Sequence, residues 1–270
     1  MTGVDEQEPR GQSESAPIHP WRAIGRAEED LPGWLLRRRG WSFASVTIEV
    51  GQSSGSCLEQ AARSVFTTAL GQLRTPPVRV WAFLPRITDG DTGGMDRYMC
   101  MNRGRGAAYR HAELPFIPAG TCTGHAGTAL VVHAMSSSEP MTTVENPRQR
   151  PAWDYSARFG PHPPPFTRGV VGSGVLVASG TASVVGEESC HVDDPEAQWA
   201  ETMRNLSALS SAAGAAGAWH AVRVYVARAD CAPMMRRLAV ESFGCAVDSV
   251  VLAPLCRRDL AVEVEGVRDL

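Results

Sequence analysis

Strand-like and helix-like patterns follow one another in nearly the same order twice along the chain, and few architectures satisfy that. In the second half, "GVLVASGTASVV" (174–185) predicts a tight strand pair. Asp194 then stands where a helix cap belongs, with Pro195 at the first helical position. The helix runs to about 212 and buries Trp199, Met203, Leu206 and Leu209. "HAVRVYVAR" reads as a strand, "APMMRRLAVESF" as a helix and "VDSVVLAP" as a strand; the last strand lies in "APLCRRDLAVEVEG". Residues 43–135 repeat this order with "FASVTIEV", the amphipathic "LEQAARSVFTTALGQL", "VRVWAFL", the partly helical "DRYMCMNRGRGAAYRHAE" and "ALVVHAM". The repeat is one of element order and not of sequence. It predicts an α+β protein of two subdomains packed side by side, over 41–139 and 169–270. Residues 140–168 form a proline-rich connection whose aromatics and arginines favour a site-lining role. Residues 1–40, rich in Glu, Ser, Pro and Arg, read as a flexible lead-in.

The final strand poses the sharpest question. Leu260, Val262 and Val264 take one parity; Asp259, Ala261, Glu263 and Glu265 take the other. A half-wet edge strand satisfies that alternation, and so does a strand that presents carboxyls to a cavity.

Composition narrows the chemistry. The net charge of −3 gives no electrostatic footprint for nucleic acid or an anionic membrane. No apolar run reaches the ~20 residues of a membrane span, and the polar, acidic N-terminus is not a signal peptide. Seven cysteines, odd in number and without a CxxC pair, argue for reduced thiols in a cytoplasm and against a disulfide frame or a zinc site. The histidines show no metal-ligand spacing. All 26 strongly basic side chains are arginine. Schiff-base catalysis by lysine is therefore excluded, and any anion held by a side-chain cation is held by a guanidinium fork.

Five blocks carry a resemblance: "VRVWAFLPRITDGDTGGMDRY", "NRGRGAAYR", "ENPRQRPAWDYSARFGPHPPPFTRG", "SGTASVVGEESCH" and "LCRRDLAVEVEG". In this order they resemble the chorismatase family, whose halves are RidA-like (chorismate-mutase-like) subdomains. The resemblance implies a chorismate-converting enzyme that releases pyruvate from the enolpyruvyl ether without a cofactor. The partner would be a small molecule, and the protein a monomer or small homo-oligomer. Glu263 matches the family's catalytic acid, with Glu265 as the nearest competitor. Cys256, with Gly180 of "SGTAS", matches the branch that forms 3-hydroxybenzoate; alanine at both positions goes with the diol-forming hydrolases. A chorismate hydrolase giving a dihydroxycyclohexadiene carboxylate, a 4-hydroxybenzoate-forming variant, an inactive ligand-binding relative and a RidA-like deaminase are the alternatives. Chorismate carries two carboxylates, so Arg105, Arg148 and Arg168 are the expected forks. Tyr98 and Tyr155 are the expected hydroxyl donors. Arg148→Lys is expected to weaken substrate handling.

Overall fold

The computed structural model describes residues 28–270 apart from 32, 39 and 91–93. The first half runs β1 (Glu28–Leu31), β2 (Gly33–Arg38), β3 (Trp41–Glu49), α1 (Gly55–Gly71), β4 (Pro77–Phe83), α2 (Arg97–His111), β5 (Ala119–Thr123) and β6 (Ala129–Ser137). The second runs β7 (Thr142–Val144), β8 (Gly169–Gly172), β9 (Val175–Ala182), the short pair β10 (Val184–Val185) and β11 (Glu188–Ser189), α3 (Pro195–Ala213), β12 (Trp219–Val226), α4 (Ala232–Phe243), β13 (Val247–Leu252) and β14 (Val262–Asp269).

The repeat of order is a repeat of topology. One sheet has the order β1-β2-β3-β6-β4-β5 and the other, read from its opposite edge, β7-β8-β9-β14-β12-β13. Only β4–β5 and β12–β13 pair in parallel within these sheets. Each sheet carries its two helices on one face. Val80, Ala82, Leu130 and Val132 pack under α1 and α2, and Val222, Val224, Val262 and Val264 pack under α3 and α4. The other faces meet each other through Phe43, Trp81, Phe83 and Met135 on one side and Val177, Tyr225 and Val267 on the other. The result is a four-layer helix–sheet–sheet–helix stack.

That stack answers the question about the last strand. β14 is central, between β12 and β9. Its valines face the helices. Glu263 and Glu265 face the layer between the sheets and are buried.

Two expectations need correction. The tight strand pair expected over 174–185 is instead β9, which pairs with β8 and β14, followed by the short β10, which pairs with β11. Residues 28–31 and 33–38, expected within a flexible lead-in, form β1 and β2. The β2–β3 ladder runs from Gly33↔Val46 to Arg38↔Trp41, so backbone pairing overrides a polar composition. The same expectation for residues 1–27 lies outside the described residues. Strand β5 has no alternating pattern; "AGTCT" is buried on both faces. Among the described residues no helix is long and apolar enough to cross a membrane.

The glycines of "NRGRG" have a packing reason. A Cβ on Gly104 would run into the backbone oxygen of Glu59 and come within 2.8 Å of Ala62 Cβ and 2.9 Å of Arg63 N. The α1–α2 crossing therefore needs glycine there. Gly104→Ala is expected to cost about 3 kcal/mol or more, because helix backbones must separate. Gly106→Ala, which meets only Arg110 Nη1 at 3.4 Å, is the control. It is expected to be neutral or to stabilise by up to ~1 kcal/mol through helix propensity. Urea denaturation of both variants checks the contrast.

Candidate active site

A cavity of about 490 Å³ opens where β5 of the first half meets β9 and β14 of the second. The halves are pinned together at its floor. Gly120 N donates to Ser179 Oγ at 2.9 Å, Gly180 N donates to Thr121 Oγ1 at 2.9 Å, and Gly124 N donates to Pro254 O at 2.6 Å.

Helix α2 supplies one wall. Asp96 caps it, accepting from Met99 N at 2.7 Å. Tyr98 and Arg105, two turns apart, then fall on one stripe facing the cavity. Arg105 is 1% exposed. Its Nε donates to Tyr109 Oη at 2.8 Å, and its guanidinium lies 5.7 Å from the Phe66 ring and 5.2 Å from that of Tyr109. Its buried Nη2 has no hydrogen-bond partner among the described residues.

The proline-rich connection supplies the opposite wall. Short 3₁₀ turns at Ala152–Asp154 and Ala157–Phe159 bring Tyr155, Phe159 and Phe166 over the cavity. Glu187 fastens the segment by accepting from Ser156 N at 2.9 Å and Ser156 Oγ at 2.6 Å, bonds that hold its carboxyl below its ordinary range. Arg168, 4% exposed, donates through Nη2 to Tyr155 Oη at 2.6 Å and Arg150 O at 3.0 Å, between the Tyr155 and Phe166 rings. Its Nε has no hydrogen-bond partner among the described residues. Neither Arg105 nor Arg168 pairs with a carboxylate among the described residues. A buried guanidinium left so carries a desolvation cost that an anionic ligand would offset.

The third wall is the turn before β14. Cys256 lies in that turn, ahead of the strand, so it shares the cavity with Glu263 despite their opposite parity. Burial, then the neighbouring Glu263, pushes its thiol up to about 12, so it is a neutral S–H group. Cys122 lines the same wall and is likewise raised by burial. Glu263 is 5% exposed. It has no hydrogen-bond partner among the described residues. Burial first, and the Glu265 charge second, push its carboxyl up to about 8; Arg79 and Arg168 act the other way. Gly180 makes the seat for this carboxyl. A Cβ there would overlap Glu263 Oε1 and lie 2.7 Å from its Cδ.

Seven of the eight expected site residues therefore line one cavity: Glu263, Cys256, Arg105, Arg168, Tyr98, Tyr155 and Gly180. Arg148 does not. Its Nε donates to Asn205 Oδ1 at 3.0 Å and its Nη2 pairs with Glu201, so it staples the connection to α3. The expected effect of Arg148→Lys is corrected with it. The Arg148 side chain is 36% exposed, its buried acid also holds Arg204, and lysine keeps the charge, so the change is expected to cost about 1 kcal/mol. The variant is expected to keep kcat/KM within about threefold of the parent, with a small loss of stability on thermal unfolding.

Sequence reasoning passed over Arg257. It lines the cavity mouth, stacks 4.2 Å from the Phe159 ring and donates to Glu187 O at 2.8 Å. Its place in "LCRRDL" was the available signal. Among the described residues no group of three or more His, Cys, Asp or Glu side chains is arranged to hold a metal.

Two α+β halves of one topology thus enclose a cavity that holds a proton-bearing carboxyl beside buried guanidinium groups free of carboxylates. Residues 21–136 match the family model "Chorismatase FkbO/Hyg5-like, N-terminal". A 3-hydroxybenzoate synthase of Streptomyces hygroscopicus is 35% identical over 212 residues, which span 70% of this chain and 62% of that protein. A chorismatase of Streptomyces rapamycinicus is 27% identical over 219 residues, 73% of this chain and 66% of that one. The matches thus span slightly under two thirds of the length of these relatives. A chorismatase crystal structure superposes with a TM-score of 0.78 at 22% identity, covering 91% of this chain and 80% of that one. The chain is thus similar to chorismatases in sequence and shares their fold.

Proposed function

We propose that this protein converts chorismate to 3-hydroxybenzoate and pyruvate. One observation carries the reading: a carboxyl that stays protonated to about pH 8 faces a cavity whose buried Arg105 and Arg168 lack carboxylate partners. The 35% identical relative from Streptomyces hygroscopicus supports the choice of product, being named a 3-hydroxybenzoate synthase.

In this reading Arg105 and Arg168 hold the two carboxylates of the substrate from opposite walls. A charged hydrogen bond of this kind contributes about 1.5–3 kcal/mol. Tyr98 and Tyr155 orient ring oxygens. Glu263 gives its proton to the methylene carbon of the enolpyruvyl ether, and the ether carbon becomes an oxocarbenium ion. The C–O bond to the ring then breaks and the three-carbon unit leaves as pyruvate. The neighbouring ring hydroxyl, not water, displaces it to form a protonated epoxide, whose original ring C–O bond then opens, so the atoms of chorismate divide between the two products with none left over. Release of the ring proton restores aromaticity and returns a proton to Glu263. Cys256, neutral at working pH, borders the ring as a weak donor and not as a thiolate. Reduced thiols suit a cytoplasmic setting, and none of the seven cysteines forms a disulfide.

The test is one incubation of the purified protein with chorismate, with pyruvate and ring products separated by chromatography. Equal amounts of pyruvate and 3-hydroxybenzoate are expected. A dihydroxycyclohexadiene carboxylate in place of the aromatic product would move the protein to the hydrolytic branch. Tight binding of chorismate with no pyruvate would overturn the reading.

A further inference from the structure

Two carboxyls share the inner face of β14 in opposite surroundings. Glu265 accepts from Arg79 Nη2 at 2.6 Å, Thr121 Oγ1 at 2.5 Å, Trp81 Nε1 at 3.0 Å and Tyr225 Oη at 3.1 Å. Those donors stand on β4, β5 and β12, so its carboxylate is fixed from three strands. Four donors and no acceptor is the environment of a charged carboxylate. Glu263, two residues earlier, faces the cavity without a hydrogen bond among the described residues.

Thr121 ties the two together. Its hydroxyl donates to Glu265 and accepts from Gly180 N at 2.9 Å. Gly180 is the residue whose missing side chain seats the Glu263 carboxyl.

We propose that Glu265 is a positioning residue for the reaction, a charge locked in place that acts on the substrate only through the neighbouring Glu263 carboxyl. The proposal rests on Glu263 being the proton donor. A second negative charge placed beside a fixed one, in a layer shielded from water, is disfavoured. Arg79, paired with Glu265 through Nη2, offsets that charge only in part. The other groups around Glu263 do not cancel the effect. Arg168, ahead of β8, pulls weakly the opposite way. Cys256 and Cys122 are thiols kept neutral by burial. On α2, Arg105 and Tyr98 face the cavity, and Asp96 at the cap adds a like charge. Burial remains the larger influence on Glu263, and the Glu265 charge comes next.

A merely structural Glu265 would join the sheets and nothing more; the pH profile tells the two roles apart. In the parent protein kcat/KM is expected to fall as pH rises through about 8, because only protonated Glu263 donates. In Glu265→Gln that falling limb is expected to move down by about one unit or more. Activity at pH 8 then drops about fivefold or more against the parent, while activity near pH 5.5 stays within about threefold. Tyr225→Phe, which removes a donor and keeps the charge, is expected to leave the limb in place. Should Glu265→Gln not fold, Arg79→Met/Glu265→Gln removes both charges of the buried pair and is expected to move the limb in the same direction by a smaller amount, since Glu265 outweighs Arg79 at Glu263. A carboxyl ¹³C titration of Glu263 in the ligand-free protein must show the same displacement. That measurement needs no turnover. Absence of pyruvate from the parent protein would defeat the functional reading alone. An unmoved Glu263 titration, or an equal loss at every pH, would overturn the role given to Glu265.

Discussion

Replacing Glu263 by glutamine is expected to leave the protein folded, remove nearly all of its activity and stabilise it at alkaline pH. Glutamine keeps the shape and volume of the side chain but has no proton to give to carbon. General acid catalysis contributes about 10²–10⁴-fold, so pyruvate release should fall by that much. The stability effect has a definite sign. The carboxyl titrates near 8 in the folded protein and near ~4.3 in an unfolded chain. Between those values the folded form keeps a proton that the unfolded form releases. The contribution of this group to stability is therefore full below ~4.3 and is lost as pH rises to about 8. Glutamine has no such loss. The variant should match the parent at pH 4 and exceed it by pH 8, by an amount on the order of 4 kcal/mol at 1.36 kcal/mol per unit. Urea midpoints across that range are the measurement. Parallel pH dependence in the two proteins would mean that Glu263 titrates like a surface acid and cannot be the donor.

The elements with helical or alternating periodicity were legible in the sequence, because each has one apolar face. The Asp194 cap and the Pro195 start of α3 are found as read, with Asp194 accepting from Ala197 N at 3.0 Å. Strand β5 was not legible, because a strand buried on both sides has no alternation to show. The burial of β14 was equally hidden. Glu263 and Glu265 look like solvent-facing residues until the second sheet covers them. Their fates then diverge through neighbours far away in sequence, Arg79 and Thr121 among them. Arg148 misled for the same reason: a family-like block fixes where a residue lies along the chain, but not which way its side chain turns. Here it turned to Glu201 and Asn205.

The two halves also share more than order. "VRVW" on β4 and "VRVY" on β12 occupy matching places, with Arg79 beside Trp81 and Arg223 beside Tyr225. Trp81 pairs across its ladder with His133, and Tyr225 pairs with Glu263. The place of the proton-bearing carboxyl is thus held in the other half by a histidine that burial, aided by Arg223, pushes down to about 3. A neutral imidazole of that kind gives no proton near neutral pH. One half keeps the acid, the other a neutral ring in the inter-sheet layer.

Cys256→Ala is expected to change what is made more than how fast chorismate disappears. Proton transfer from Glu263 and loss of pyruvate do not involve sulfur, so pyruvate release should stay within about threefold. Removing one sulfur should cost no more than about 1 kcal/mol of stability on area grounds. The ring product should shift from 3-hydroxybenzoate toward diol or mixed hydroxybenzoates, the direction that the family resemblance assigns to alanine here. Gly180→Ala acts by another route. Its Cβ would displace the Glu263 carboxyl from its seat, and a misplacement near 1 Å costs about 10²-fold in rate. The two positions share Glu263 as a neighbour: Cys256 feels its charge, and Gly180 carries its carboxyl. Their effects should therefore not add. In a double-mutant cycle on pyruvate release, coupling of about 1 kcal/mol or more is expected, because the smaller side chain at 256 leaves room for a displaced carboxyl. Product ratio and pyruvate release, measured together for both single variants and the pair, decide it. Pure 3-hydroxybenzoate from the Cys256→Ala variant, with additive rates across the cycle, would reduce Cys256 to a packing residue and leave Gly180 alone to set the product.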